Sequence, residues 1–476
     1  MGEPGEEPMA SEKKFRHYVV LDATKEIELQ EHYYREDHEA VANYIAQQAF
    51  KSKTAEHFRV IAWPSNVIGR AAERPTGDVP RGTVALVAAL EIDDADTVHQ
   101  MIKAANNKEQ RHPKFLGSGA DIPFAGTDHW CPGEASDPIF ADRQAAEVLL
   151  GMPFLKSKNG TTVDGTPIDT TGRNVQVVIV DQGLDQRLIP SKNFGGGWPV
   201  HGTLPGATQP KPDTIRRTHG MMIAQNILAV APEVKLFDLP MVPRKIGNIQ
   251  DFFVSTANAA YLQMLSDIRS YQVGQYPGPW ILVNPWGIFD TESEFPTGNY
   301  TNDPTHPFNL LVAGFVSNNV DVVFAAGNCG QFCPDTRCGD SDIGPGNDIL
   351  GANSLGEVLT VGAVRADTMW LGYSSQGPGQ PRLAHDKPDL CAPSQFCETE
   401  DAFTVNTGTS AACALAGGVV AALRSTWNSA TVSPGRLKTV LNTTARKTPD
   451  TGNPRQWKAR YGHGILDAEA AFKKLP

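Results

Sequence analysis

Seven cysteines in 476 residues are too few, and too unevenly placed, for a disulfide-stapled scaffold of this length. Cys329, Cys333 and Cys338 fall in one loop, Cys391 and Cys397 form a second group, and Cys131 and Cys413 stand alone. The C-x3-C-x4-C spacing matches no zinc-knuckle pattern. Free or buried thiols with one or two disulfides are therefore expected; a metal site joining the two groups and a redox switch are the alternatives. Long apolar runs are also missing: no stretch approaches the ~18 residues of a membrane span. Lysine and arginine form no run, and the net charge of −11 with a pI near 5.6 argues against nucleic acid or an anionic membrane as partner. The opening Met1-Gly2-Glu3-Pro4-Gly5-Glu6-Glu7-Pro8 has neither the basic nor the apolar region of a secretory signal. A cytoplasmic location is the expectation on that reading.

What is present suits a loop-rich α/β enzyme of two domains: 40% hydrophobic residues, 44 glycines and 35 prolines. Residues 1–14 read as disordered. Periodicity then predicts strands at 17–22, 57–63 and 83–90, helices at 39–50 and 95–105, and a short closing strand near Phe115. This is a split βαβ order. Residues 108–137, rich in Gly, Pro, His and Asp, read as a linker.

A helical stretch at 142–150 opens a second rhythm. Near-continuous β-branched runs at 175–180, 235–239, 280–283, 320–325 and 357–364 have the composition of strands covered on both faces. Helical segments at 220–229, 251–271 and 307–319 lie between them. The implied architecture is α/β: a doubly wound, mainly parallel sheet with helices on both faces, plus a small N-terminal α+β domain. The boundary is placed between an N-terminal unit, 1–125, and a main domain, 126–476.

Ser410 lies in Asn406-Thr407-Gly408-Thr409-Ser410-Ala411-Ala412, followed by an apolar helix at 413–423. A hydroxyl at a helix N-terminus meets backbone N–H groups and a dipole that favour developing negative charge. That setting suits an acyl-transfer nucleophile if a base and an orienting acid exist. Asp181 ends the first buried strand, where desolvation equips a carboxylate to hold an imidazole; a turn or cap role is the plainer alternative. Asp185, in the following turn, more naturally caps it. His219 precedes Gly220 and an apolar helix, a position suited to a general base. Its rival His201 is followed by Leu204-Pro205-Gly206, which forbids a helix. Asn328 ends the strand through Ala325-Ala326-Gly327, and its amide could donate to an oxyanion; an ordinary turn Asn is the alternative.

Asp181, His219, Asn328 and Ser410, in this order and in these motifs, resemble the subtilisin-like serine peptidases, the subtilases. The matching runs are Val178-Ile179-Val180-Asp181-Gln182-Gly183, His219-Gly220 with Val230-Ala231-Pro232, Ala325-Ala326-Gly327-Asn328, and Gly408-Thr409-Ser410-Ala411-Ala412. The resemblance extends from about residue 142 to the C-terminus and implies an Asp181–His219–Ser410 triad with an Asn328 oxyanion hole. It further implies that Pro285, Trp286 and Gly287 face Ala325, Ala326 and Gly327 as two edges that pair with an extended peptide. Three departures mark a divergent branch: Gln182 where Ser or Thr is usual, Met221-Met222 where Thr-His is common, and Ala411-Ala412-Cys413 after the nucleophile. The three-cysteine loop beginning at Cys329 is expected to be cross-linked and to brace the cleft rim.

In element order the N-terminal unit resembles the propeptide that chaperones and inhibits many subtilases, with a tail entering the cleft somewhere between 105 and 140 until cut. A permanent partner-binding module is the other reading. The expected activity is serine endopeptidase action on peptide or protein substrates, with no cofactor required for catalysis and no metal ligand assigned. Structural calcium is compatible with the family, but no calcium-loop pattern stands out. The competing functions are a dedicated processing protease or peptide ligase using the same triad, and a catalytically silent binding protein of the same fold.

Overall fold

The computed structural model describes residues 14–23, 27–64, 85–106, 115–125, 140–163, 165–209, 217–243, 249–398, 405–448 and 456–476. Cys131 and most of the expected linker lie outside these residues, as does nearly all of the segment read as disordered.

The first unit runs β1 (Phe15–Asp22), α1 (Ile27–Tyr34), α2 (His38–Phe50), β2 (Phe58–Ala62), β3 (Ala85–Ile92), α3 (Ala95–Asn106) and β4 (Phe115–Ala120). The closing strand near Phe115 is present. All pairings are antiparallel, in the order β2-β3-β1-β4. The alternation of β1 explains how the sheet is used: Val19 and Leu21 pack on the unit's own helices, while Tyr18 and Val20 join a core shared with the main domain.

The chain continues through the two-residue β5 (Phe124–Ala125) to α4 (Arg143–Leu149), the helix expected at 142–150, and a further helix that was not expected, α5 (Met152–Lys158). Asp142 caps the first through Ala145 N–H. A small hairpin follows, β6 (Thr162–Val163) and β7 (Thr166–Pro167), and then the large sheet begins. The elements that follow are β8 (Gln176–Asp181), β9 (Phe194–Gly197), α6 (His219–Val230), β10 (Lys235–Pro240), β11 (Ile249–Gln250), α7 (Phe253–Gln272), β12 (Trp280–Asn284), α8 (Pro307–Ser317), β13 (Val320–Ala325), β14 (Leu359–Val364) and β15 (Leu390–Pro393), of which β11 stands outside the large sheet. After β16 (Phe396–Cys397) and β17 (Val405–Asn406) come α9 (Gly408–Arg424), α10 (Pro434–Thr444) and α11 (Ala468–Lys474).

Seven strands form a parallel sheet in the order β15-β14-β13-β12-β8-β10-β9. Successive residues of β8 serve opposite faces. Val177 and Ile179 pack with α6 and α9, whereas Val178 and Val180 pack with α7 and α8. Strand order turns at β8, which lies between β12 and β10, and a doubly wound sheet opens its functional crevice at the strand C-termini beside such a point. Asp181 and Asn284 end the two strands that meet there.

Candidate active site

Asp181 closes β8 and is 1% exposed. Its Oδ2 stands 2.7 Å from His219 Nδ1, and its Oδ1 accepts the Gln182 N–H at 2.6 Å. The carboxylate is thus fixed at both oxygens and takes the imidazole on Nδ1, leaving Nε2 as the ring's outward nitrogen. His219 is the first residue of α6, whose N-cap Thr218 accepts the Met221 N–H. Gly220 is required by proximity: a Cβ there would lie 2.5 Å from the Gly183 carbonyl oxygen and 3.4 Å from Asp181 Oδ1. A bulkier residue would drive α6, and the imidazole with it, off the β8 turn. The unusual Gln182 finds a use here, because its Oε1 accepts the His219 backbone N–H at 3.3 Å.

The rivals fall away. Asp185 pairs with Arg187 and caps a short 3-10 turn. His201 occupies a tight turn closed by Val200 and Thr203, while the two Asp181 oxygens are taken by Gln182 N–H and His219 Nδ1.

Ser410 is the third residue of α9, so its N–H is one of those without an intrahelical partner. The helix starts five residues before the expected 413, which places the hydroxyl inside its first turn. Its Oγ donates to the Pro285 carbonyl at 3.1 Å, and no hydrogen bond joins it to His219 in this structure. Asn328 lies just beyond β13. Its Oδ1 accepts from Thr409 N at 3.0 Å and from Thr409 Oγ1 at 2.9 Å, so the acceptor end of the amide faces α9 and Nδ2 points the other way. Thr409 Oγ1 also accepts the Gly327 N–H at 3.2 Å. Gly327 itself has φ +111°, and a Cβ there would meet Ser375 Oγ at 2.8 Å.

Pro285, Trp286 and Gly287 continue from β12 beside Ala325, Ala326 and Gly327. Asn353, which the sequence reading did not single out, fastens the two segments together. Its Nδ2 donates to the Trp286 carbonyl at 2.9 Å and to the Ala325 carbonyl at 2.8 Å. Only the fold brings a turn residue after 350 between these edges, so no local pattern could have pointed to it. Asp238 was missed for the same reason. It is buried on β10, accepts from Leu184 N and Gly206 N, and burial, helped by nearby Asp181, pushes its carboxyl up to about 7.

A disulfide joins Cys329 and Cys338, closing the loop directly after Asn328. Cys333, Cys391 and Cys413 are free thiols. Among the described residues no group of three His, Cys, Asp or Glu side chains is placed to hold a metal ion, and no helix is long and apolar enough to cross a membrane.

The first unit reaches this site. Asp121, directly after β4, accepts the Ser255 N–H at 3.0 Å and so caps the first turn of α7. β5 then pairs antiparallel with β11, Phe124 opposite Gln250 and Ala125 opposite Ile249. The Phe124 ring stacks on Phe253 with centroids 4.3 Å apart and meets Trp286 edge-on at 6.3 Å. An extended segment thus pairs with β11 and brings its Phe124 ring against Trp286.

The family model described as "Subtilase family" matches residues 172–464, more than half of the chain. The chain belongs to the subtilase family. It is a serine peptidase, and its parallel sheet with helices on both faces is the subtilisin-like fold. Among solved structures, "Structure of a serine protease MycP1, an essential component of the type VII (ESX-1) secretion system" is 17% identical over 74% of this chain and 94% of that one, with a TM-score of 0.47. "Crystal structure of MycP1 from Mycobacterium smegmatis" is 19% identical over 74% and 90%, with a TM-score of 0.46. Likeness at this level decides nothing about substrate or partner. No curated protein matches the chain.

Proposed function

We propose that this subtilase is a serine endopeptidase acting through an acyl-enzyme, with Ser410 as nucleophile, His219 as general base and acid, and Asp181 as the group that orients and supports the imidazolium. The observation that carries the reading is the 2.7 Å contact between Asp181 Oδ2 and His219 Nδ1. Ser410 Oγ bonds the Pro285 carbonyl here, and the reading requires it to turn toward His219 Nε2 when substrate binds; catalytic hydrogen bonds are often incomplete before then. The tetrahedral oxyanion is then held by Asn328 Nδ2 and the Ser410 N–H. An extended peptide lies between the Pro285–Gly287 and Ala325–Gly327 edges. No cofactor enters this chemistry, and structural calcium stays a question for melts with and without chelator.

The N-terminal unit, divided from the peptidase near residue 125, acts in this proposal as an intramolecular chaperone and inhibitor. Support comes from three features: the Tyr18/Val20 face of its sheet is shared with the main core, Asp121 caps α7, and the β5 strand pairs with β11 and sets Phe124 against Trp286. Self-cutting between 105 and 140 releases it. Intact mass and N-terminal sequencing test this: the wild type loses the unit and Ser410→Ala retains it. If both stay full length, the unit is a permanent module. The Cys329–Cys338 disulfide favours an oxidising compartment over the cytoplasm expected from the N-terminal sequence. A dedicated processing enzyme or ligase would use the same triad; a peptide-library digest with a broad cleavage pattern favours the general endopeptidase.

A further inference from the structure

His219 and Ser410 sit on separate helices, and a buried cluster outside the triad joins the start of one to the strand that feeds the other. Arg217, two residues before His219, is 3% exposed. Its Nη2 donates to the Val405 carbonyl at 2.7 Å and to Asn406 Oδ1 at 3.3 Å. Its Nη1 donates to Gln225 Oε1 at 2.5 Å on α6 and stands 3.5 Å from Glu398 Oε1. Asn406, four residues before Ser410, also accepts from Asn226 Nδ2 of α6 at 2.8 Å and donates from its own Nδ2 to Glu398 Oε1 at 2.9 Å. Arg143 closes the far side, pairing with Glu398 through its fork and donating to Asn226 Oδ1 at 2.9 Å.

We infer that Arg217 is a positioning residue for the reaction: its guanidinium sets the spacing between the imidazole of His219 and the hydroxyl of Ser410. The physical case is directional. Further along, α6 and α9 meet through small and apolar groups, with Gly418 against Val230 and Ile227, and such a contact tolerates sliding. At the N-terminal ends a planar fork with donors in fixed directions allows one arrangement. A lysine keeps the charge but is a single point donor and cannot reach Gln225, Val405 and Asn406 together. A buried polar network of this kind rigidifies when complete and loosens when one member is removed. Arg217 touches neither substrate nor reacting atom, so its removal leaves binding intact and slows the attack.

The inference rests on the proposed triad, and the test separates the two. A fluorophosphonate probe reads the attack step as its maximal inactivation rate and the binding step as its half-saturating concentration. Both are measured for the full-length gene product as purified, well below its melting temperature. Arg424→Met is the control: Arg424 is equally buried at the other end of α9, bonded to Asp321 at 2.6 and 2.7 Å, and its loss disturbs packing without touching the α6–β17 junction. We expect Arg217→Lys and Arg217→Met to lower the inactivation rate about 10- to 100-fold, with the half-saturating concentration within about threefold, while Arg424→Met stays within about twofold of wild type. Should Arg217→Met fail to fold, Arg217→Lys alone decides. An unchanged rate in folded Arg217→Lys, or an equal fall in Arg424→Met, overturns the positioning role while leaving the triad standing. Failure of the wild type to label at Ser410 overturns the triad and the inference with it.

Discussion

Thr409 holds Asn328 by two bonds to one oxygen: its backbone N–H and its hydroxyl both donate to Asn328 Oδ1, at 3.0 and 2.9 Å. The residue beside the proposed nucleophile therefore sets which way the proposed oxyanion donor faces. Asn328→Ala is expected to lower kcat by about 10²–10³, the range for losing one such donor, a figure itself taken from a subtilisin. Thr409→Val keeps the N–H and loses the hydroxyl, so a smaller fall of about 10-fold is expected, roughly 1.4 kcal/mol. Steady-state kinetics on a peptide substrate check both; equal losses would mean that Thr409 does more than aim the amide.

Asn353 supplies a different kind of test, since its amide bridges the carbonyls of Trp286 and Ala325. Asn353→Leu leaves two buried acceptors unpaired, at about 1–3 kcal/mol each, and frees the two edges to separate. KM for an extended peptide is expected to rise at least as much as kcat falls, with a lowered melting temperature. A fall in kcat alone would place Asn353 nearer the chemistry than its bonds indicate.

The contact between Asp121 and α7 gives a pH dependence of definite sign. Burial pushes the Asp121 carboxyl up to about 7, and its bond to the Ser255 N–H only partly opposes this. The docked state therefore binds a proton that the unfolded chain has released, from about pH 4 to about pH 7. Stability from this group falls as pH rises through that window and is level above it. Asp121→Asn retains an acceptor for the cap and removes the titration. In a Ser410→Ala background, thermal melts are expected to show the Asn variant gaining on the Asp form from pH 4 to 7 and holding a constant lead beyond. A difference independent of pH would contradict the assignment.

The disulfide loop can be probed chemically. Cys329 and Cys338 are 9 residues apart in sequence, a short loop worth ~2.5 kcal/mol by chain entropy. Replacing both with Ser is expected to lower the melting temperature by several degrees and to reduce activity, because the loop begins at the residue after Asn328. Replacing Cys333, a free thiol, should change neither. Unchanged melting and turnover in the double variant would dismiss the bracing role.

Much of this architecture was legible because buried parallel strands announce themselves. The run Val177-Val178-Ile179-Val180 has no polar alternation to lose, and both its faces are covered. The same logic was present, and went unused, in Tyr18-Val19-Val20-Leu21: an unbroken apolar run in an antiparallel sheet signals that its second face is covered too. β9 was invisible because Phe194-Gly195-Gly196-Gly197 offers hardly any side chain to pattern. Asp181, His219, Asn328 and Ser410 each sit at an element end with its own local signature. Arg217 and Asn353 have none, since their importance arises largely from partners as far as 189 residues away.

The most direct measurement is the site of a fluorophosphonate adduct, mapped by peptide mass on wild type and on two variants. The account predicts a single stoichiometric adduct on Ser410, absent in Ser410→Ala and slowed by several orders of magnitude in His219→Ala. An adduct at another serine, or labelling of Ser410 at the same rate without His219, would contradict it.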